Sequence, residues 1–280
     1  MIIVESKAEL QRWRQKQAGL VGFVPTMGAL HVGHMSLVNA CRMECHATAV
    51  SIFVNPTQFG PHEDFNRYPR PIEADVELCE RAGVDLLYRP AVAEMYPPGS
   101  QTMVEPGAVA QRWCGAARPG HFRGVCTIVL KLLNQVAPHR MYLGEKDAQQ
   151  LRVLRQMAAD LDVATEIVGC PTTREEDGLA LSSRNRYLSV AERVGADALF
   201  RGMRRAQQQY QSGITDVATL EKEFRTLLSS EGGWALEYAA IVDENTLEPL
   251  TVVGVSGLFL VAARRGATRL IDNMVINRPQ

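Results

Sequence analysis

The sequence predicts an α/β protein: a Rossmann-like, doubly wound parallel-sheet domain followed by a smaller α+β C-terminal domain. Two observations carry this. Over the first 170 residues, short runs rich in β-branched residues alternate with helical apolar spacing, the pattern of a parallel sheet with crossover helices. Beyond position 169 the alternation stops, and a polar loop, CPTTREEDGLALSSRN, leads into two helical stretches and then three strand-like runs. A chain of 280 residues suits two domains at roughly 150 residues each. The expected division is 1–170 and 171–280.

In chain order, Ser6 and Glu9 have the spacing of a capping box that opens a first helix. Strands are expected at 21–24, 47–54, 85–88, 140–143 and 165–169, with helices at 35–43, 72–82, 125–135 and 148–161. Gly83 and Pro138 stand beyond two of these helices as stop signals. In the C-terminal part, helices at 190–211 and 216–229 precede strands at 237–242, 258–263 and 269–271, which fit a small antiparallel sheet.

The composition narrows the function. Hydrophobic residues at 46% and charged residues at 22% are ordinary globular usage. With 30 Lys and Arg against 31 Asp and Glu, there is no global positive field for a long polyanion, so any phosphate site must be local and no nucleic-acid partner is expected. The amino-terminal stretch MIIVESKAEL has no signal-peptide pattern, and no window has the length and apolarity of a membrane span. The expected location is the cytoplasm. Cys41, Cys45, Cys79, Cys114, Cys126 and Cys170 include no CxxC pair, which suits reduced, buried thiols. Cys41, Cys45 and His46 could be offered as zinc ligands, but two thiols four apart on a helix read better as small hydrophobes on a packed face.

Four segments carry chemistry. The run Val24-Pro25-Thr26-Met27-Gly28-Ala29-Leu30-His31-Val32-Gly33-His34 leaves a strand, turns on glycines and enters a helix. A helix N-terminus offers unpaired N–H groups and the positive end of its dipole to phosphate, and two imidazoles three apart can add donors, with a modest pKa rise making either cationic. In SIFVNPTQFG, Asn55 and Gln58 fall at the carboxyl edge of a strand, where open α/β sheets bind ligands. YLGEKDAQQ brings Gly144, Glu145, Lys146, Asp147 and Gln150 to the same kind of edge. In GLALSSRN, hydroxyls precede Arg184, a fork of permanently charged donors suited to clamping phosphate. Segment 172–185 is expected to be mobile without nucleotide and to close over it, because little would offset its ordering entropy of roughly 1 to 2 kcal/mol per residue.

Together VPTMGALHVGH, SIFVNPTQF, RYPR, RPGHFRGV, YLGEKDAQQL, DGLALSSRN and the terminal LIDN resemble, in order and over the whole chain, the pantoate–β-alanine ligase family of the HIGH-type nucleotidyltransferases. The resemblance implies condensation of (R)-pantoate with β-alanine at the expense of ATP, through a pantoyl adenylate, giving pantothenate, AMP and pyrophosphate. It implies ATP as a substrate with Mg²⁺, small-molecule partners only and a homodimer. ATP contacts are implied for Met27, Gly28, Ala29, Leu30, His31, Val32, Gly33, His34, Gly144, Glu145, Lys146, Asp147, Thr173, Leu181, Ser182, Ser183 and Arg184. Of these, His34, His31, Lys146 and Arg184 are the implied catalytic groups, with His34 as proton donor. Gln58 and Gln150, with Asn55, are implied for pantoate and β-alanine, and the C-terminal domain is implied to act as a lid. Val32 stands where the family often has an acidic residue, and Ala74 falls where carboxylates are frequent. Asp75 remains there as a candidate metal-side carboxylate. A nucleotidyltransferase that stops at a nucleotidyl product is the competing enzyme reading, opposed by the two glutamines and GEKD. A catalytically silent ATP-binding regulator would be marked by loss of a phosphate-contacting residue, and each implied one is present.

Overall fold

A computed structural model describes residues 1–278. By contact density the chain forms two compact units, one of Met1–Glu145 with Gln150–Pro171 and one of Lys146–Gln149 with Thr172–Gln280. Residues 146–149, which fall within the first domain of the sequence division, group with the second unit.

The first unit is built on strands β1 (Ile2–Val4), β2 (Val21–Thr26), β3 (Ala47–Ile52), β4 (Leu86–Tyr88), β5 (Arg140–Gly144) and β6 (Glu166–Cys170). They form one sheet in the order β1-β4-β3-β2-β5-β6, parallel at every pairing. The helices of this part of the chain are α1 (Lys7–Gln15), α2 (Val32–Glu44), α3 (Ile72–Arg81), α4 (Val92–Met95), α5 (Cys114–Ala117), α6 (His121–Val136) and α7 (Ala148–Asp160). Ser6 accepts from the Glu9 amide while Glu9 reaches back to the cap backbone, so the capping box that the sequence predicts is present.

Adjacent side chains of a strand face opposite sides, and the two core clusters record this. Phe23, Ala49, Leu86 and Met141 join Leu10 and Trp13 of α1 and the apolar face of α6. Val24, Val50, Leu87 and Tyr142 join Leu37, Val38 and Cys41 of α2. The inner strands are therefore mostly apolar and buried on both faces, as a parallel sheet covered on both sides requires, with Thr48 and Ser51 of β3 as buried polar exceptions. The chain winds one way from β2 to β3 and β4 and the other way through β5 to β6, which puts a topological switch point at the carboxyl ends of β2 and β5. Strand β1 was not expected from the sequence. It has three residues, and Ile2 and Ile3 are exposed, so it lacks the length and the buried pattern that mark an inner strand.

The second unit packs α9 (Ala198–Gln211) and α10 (Val217–Glu231) on an antiparallel sheet of β7 (Trp234–Val242), β8 (Ser256–Arg265) and β9 (Thr268–Asn277), in that order, with the short α8 (Val190–Arg193) ahead of α9. Its core contains Leu199, Met203, Leu220, Phe224 and Phe259, with the two phenyl rings 5.1 Å apart. The single helix expected at 190–211 is two, because Gly195 takes φ +74° at the break, a conformation glycine adopts without Cβ strain. Strand β9 runs well past 269–271 because Asp272 and Asn273, polar yet buried, sit within it. Among the described residues no helix is long and apolar enough to cross a membrane.

One glycine decides how α6 approaches the sheet edge. A Cβ at Gly124 would stand 2.3 Å from the Thr57 carbonyl oxygen and 2.7 Å from the Gln58 Cα, both main chain. Gly124→Ala is therefore expected to lower stability by about 1 to 3 kcal/mol through displacement of the turn at residues 56–58. Thermal denaturation of the variant checks this, and a melting temperature equal to that of the parent would show that the turn relaxes freely.

Candidate active site

Where β2 ends, the chain turns sharply. Gly28 and Ala29 take φ of +81° and +50°, and the Gly28 amide donates to Thr26 Oγ1 at 3.1 Å. Asp75, in the first turn of α3 and 1% exposed, receives the Ala29 amide on Oδ2 at 2.8 Å and the Leu30 amide on Oδ1 at 2.7 Å. A left-handed alanine costs backbone strain, and these two charge-assisted bonds hold it in place. Asp75, expected as a metal-side carboxylate, thus has both oxygens engaged with main-chain amides. Among the described residues no group of three or more His, Cys, Asp or Glu could hold a metal ion.

The loop ends at His31, the N-cap of α2, whose Nδ1 accepts from the Gly33 amide at 3.1 Å. Three residues on, His34 reaches back so that its Nδ1 accepts from the His31 amide at 3.3 Å. This is a capping box made of two histidines, with ring centroids 4.1 Å apart. A ring nitrogen can accept only while it is unprotonated, so each cap assigns the ring proton to Nε2. The sequence left open a cationic form, but the caps use neutral imidazoles whose Nε2–H is a hydrogen-bond donor. Met27, Gly33 and exposed Val32 complete this segment.

At the end of β3, Asn55 caps a short 3₁₀ turn at Pro56–Gln58. Its Oδ1 accepts from the Thr57 amide and hydroxyl and from the Tyr96 hydroxyl at 3.3, 2.9 and 2.8 Å. Its Nδ2 donates to Gln58 Oε1 at 3.0 Å and to the Gly124 carbonyl at 3.1 Å. Asn55 is 1% exposed, and its amide is engaged in orienting Gln58, whose own Nε2 points to Met27 Sδ at 3.1 Å.

Behind Gln58 lies an ion pair that the sequence reading did not assign. Arg118 donates to both oxygens of Glu63 at 2.6 and 2.7 Å and to the Gln58 carbonyl at 3.3 Å. His121, buried at the start of α6, places Nδ1 2.8 Å from that same carbonyl. Arg118 and His121 lie in RPGHFRGV; the motif was visible, but nothing in its spacing pointed to Glu63, 55 residues away.

Strand β5 delivers Gly144 and Glu145 to the carboxyl edge of the first unit's sheet. Gln150 is half-buried in the first turn of α7. In the second unit, Lys146 Nζ lies 3.8 Å from Asp147 Oδ2. Residues 172–181 form a hairpin, with an Arg174–Ala180 bridge, a 3.0 Å bond from the Leu181 amide to the Thr173 carbonyl and Gly178 at φ +98° in its turn. Arg193 reaches Asp177 and Glu175 at 2.6 and 2.7 Å. The hairpin thus has protein partners of its own where the sequence suggested that little would offset its ordering. Ser182 Oγ then accepts from the Arg184 amide at 3.3 Å, opening the 3₁₀ turn Ser183–Tyr187.

The thiols carry no comparable chemistry. Burial pushes the Cys41, Cys79 and Cys126 thiols up to about 12, where thiolate is scarce at neutral pH. His46 Nδ1 accepts from the Leu20 amide at 3.2 Å.

The site therefore stands at a switch point, with a helix N-terminus carrying paired imidazole donors and the Gln58 amide held against Met27 of the same strand-to-helix segment. A family model for pantoate-beta-alanine ligase matches residues 2–275. The chain belongs to that family. It is 49% identical over 274 residues to a bifunctional pantoate ligase/cytidylate kinase from Synechococcus elongatus, covering 97% of this chain and 52% of the relative, so the chain spans about half that protein's length. A crystal structure of pantothenate synthetase from Thermus thermophilus superposes with TM-score 0.95 at 46% identity, covering 99% of this chain and all of that one. A pantoate-beta-alanine ligase from Francisella tularensis, solved as a complex with beta-gamma ATP and beta-alanine, matches at 34% identity with TM-score 0.78 over 98% of this chain and 97% of that one.

The Glu63–Arg118 pair gives a pH test. Burial pushes the Glu63 carboxyl up, but the Arg118 guanidinium and the Gly60 amide outweigh it and bring it from 4.5 to about 2. A depressed carboxylate stabilises the fold above its ordinary value and loses that contribution as pH falls through the folded value. The stability difference between the parent and Glu63→Gln should be full at neutral pH and shrink between about 4.5 and about 2. Urea titrations across that range measure it, and a pH-independent difference would remove Glu63 from the linkage.

Proposed function

We propose that this chain condenses (R)-pantoate with β-alanine at the expense of ATP, through a pantoyl adenylate, releasing AMP and pyrophosphate. The observation that carries the reading is the histidine capping box at the start of α2, which assigns a donor N–H to Nε2 of both His31 and His34 at a helix N-terminus. Family membership and a relative solved with an ATP analogue and β-alanine support it.

In this reading the pantoate carboxylate attacks the α-phosphorus and pyrophosphate leaves. The amine of β-alanine then attacks the acyl carbonyl and AMP departs. His31 and His34 donate from Nε2 to phosphate oxygens, and Lys146, Ser182, Ser183 and Arg184 offset the charge that develops on the leaving group. A neutral Nε2–H holds a phosphate oxygen by a hydrogen bond and transfers no proton, so in this reading His34 stabilises charge and does not serve as the proton donor the resemblance implied. Gln58, aimed by Asn55, and Gln150 bind the pantoate hydroxyl or carboxylate, while Met27 to Leu30, Val32, Gly33, Gly144, Glu145, Asp147, Thr173 and Leu181 shape the nucleotide site. Mg²⁺ neutralises phosphate charge when bound. With both Asp75 oxygens on main-chain amides, no carboxylate of this loop is assigned to the ion, which would enter with the triphosphate. We assign the protein to the cytoplasm, as a homodimer whose C-terminal domain serves as a lid.

Exchange of labelled pyrophosphate into ATP, with pantoate present and β-alanine absent, tests the adenylate directly. His34→Ala should lose on the order of 10²- to 10³-fold in exchange rate while folding normally; near-parental exchange would take His34 out of the chemistry. Gln58→Ala should raise the KM for pantoate far more than that for ATP. Equal rises in both would make Gln58 a support for the loop.

A further inference from the structure

The second unit contains a buried polar assembly that no step above uses. Asp272 and Asn273, adjacent on β9, are 5% and 8% exposed. Asp272 takes a bidentate pair from Arg174, Nη1 to Oδ2 at 2.6 Å and Nη2 to Oδ1 at 2.9 Å, and its Oδ1 also accepts the Asn273 amide at 2.7 Å. Arg174 continues to the carbonyls of Gly178 and Asn273 at 3.0 and 3.2 Å, and its guanidinium lies 4.2 Å from the centre of the Phe200 ring. Asn273 Nδ2, in turn, donates to the main-chain carbonyl of Lys146 at 2.9 Å.

A buried ion pair is a poor way to add stability, since desolvation cancels much of its attraction and apolar residues of the same volume often do as well. What apolar residues cannot supply is direction. A bidentate fork fixes the plane and distance of a carboxylate, and an amide bonded to one carbonyl fixes the height of one residue. This dipeptide holds the hairpin that runs into Ser182 and Arg184 through Arg174. Through Asn273 it holds the segment that carries Lys146.

We propose that Asp272 and Asn273 are positioning residues for the nucleotide, holding the Lys146 ammonium and the segment leading to Arg184 in a fixed register. The inference rests on the phosphate role of Lys146 proposed above. It accounts for Lys146–Gln149 grouping with the second unit. It also gives the LIDN motif, far along the chain from every implied ATP contact, a reason for its polar pair.

The test is a double-mutant cycle of Asn273→Ala and Lys146→Ala, read by pyrophosphate exchange, with thermal denaturation in parallel. Misplacement of a charged group by about 1 Å can cost 10²-fold in rate. Asn273→Ala is therefore expected to lower exchange kcat by about ten- to a hundredfold, with pantoate KM and melting temperature near those of the parent. In the Lys146→Ala background the same substitution should change kcat by less than about twofold, because the group it positions is gone. Effects that multiply in full would overturn the proposal, as would a loss of rate that tracks a fall in melting temperature. Asn273→Ser is the milder second variant: its hydroxyl is too short to reach the carbonyl, so it should follow alanine, and parental kinetics would overturn the inference. Impaired Lys146→Ala with unimpaired Asn273→Ala defeats the positioning role alone. Unimpaired Lys146→Ala defeats it together with the phosphate role of Lys146.

Discussion

The site depends first on the bonds from the Ala29 and Leu30 amides to Asp75. A strand that must turn into a helix within a few residues leaves amides pointing inward, and buried amides without partners are costly. One carboxylate on a neighbouring helix satisfies two of them and holds a left-handed alanine. The direction in which α2 starts, and with it the placement of both histidines, follows. The same economy appears at Asn55, where one buried amide caps a turn, bonds the carbonyl of α6 and holds Gln58. Neither residue needs to touch a substrate to matter.

The histidine pair shows how a structural bond can set a chemical state. Helix capping needs an acceptor near the first free amides, and serine or aspartate supplies one more simply. Using Nδ1 of an imidazole leaves the ring's proton on its far nitrogen. Capping and donor assignment thus become a single arrangement, and His31 and His34 support each other in it.

Much of this was legible in the sequence, for identifiable reasons. The inner strands are mostly apolar and the first helix has a true capping box, so local signals agree with the fold. The HxGH segment could be placed at a strand-to-helix transition because glycines punctuate it. The rest depends on partners distant in sequence. Glu63 looks like a loop charge until Arg118 is beside it, and Asp75 looks like a metal-side carboxylate until the Ala29 and Leu30 amides reach its two oxygens. The tautomer of an imidazole has no trace in a string of letters. The break at Gly195 was missed because one glycine within helical spacing is compatible with either outcome.

Residues 146–149 group with the C-terminal unit although they are flanked on both sides by residues of the first. The covalent chain therefore passes between the units three times, at 145–146, 149–150 and 171–172. A fragment ending at residue 171 would keep Lys146 but lose the strand that bonds to its carbonyl, and a fragment starting at 172 would keep that strand with nothing to hold. The two units are thus poor candidates for dissection or for grafting onto other scaffolds, because neither half of a cut chain is a self-sufficient piece. Their sequences should drift together, since a side chain of β9 bonds to a segment more than a hundred residues earlier.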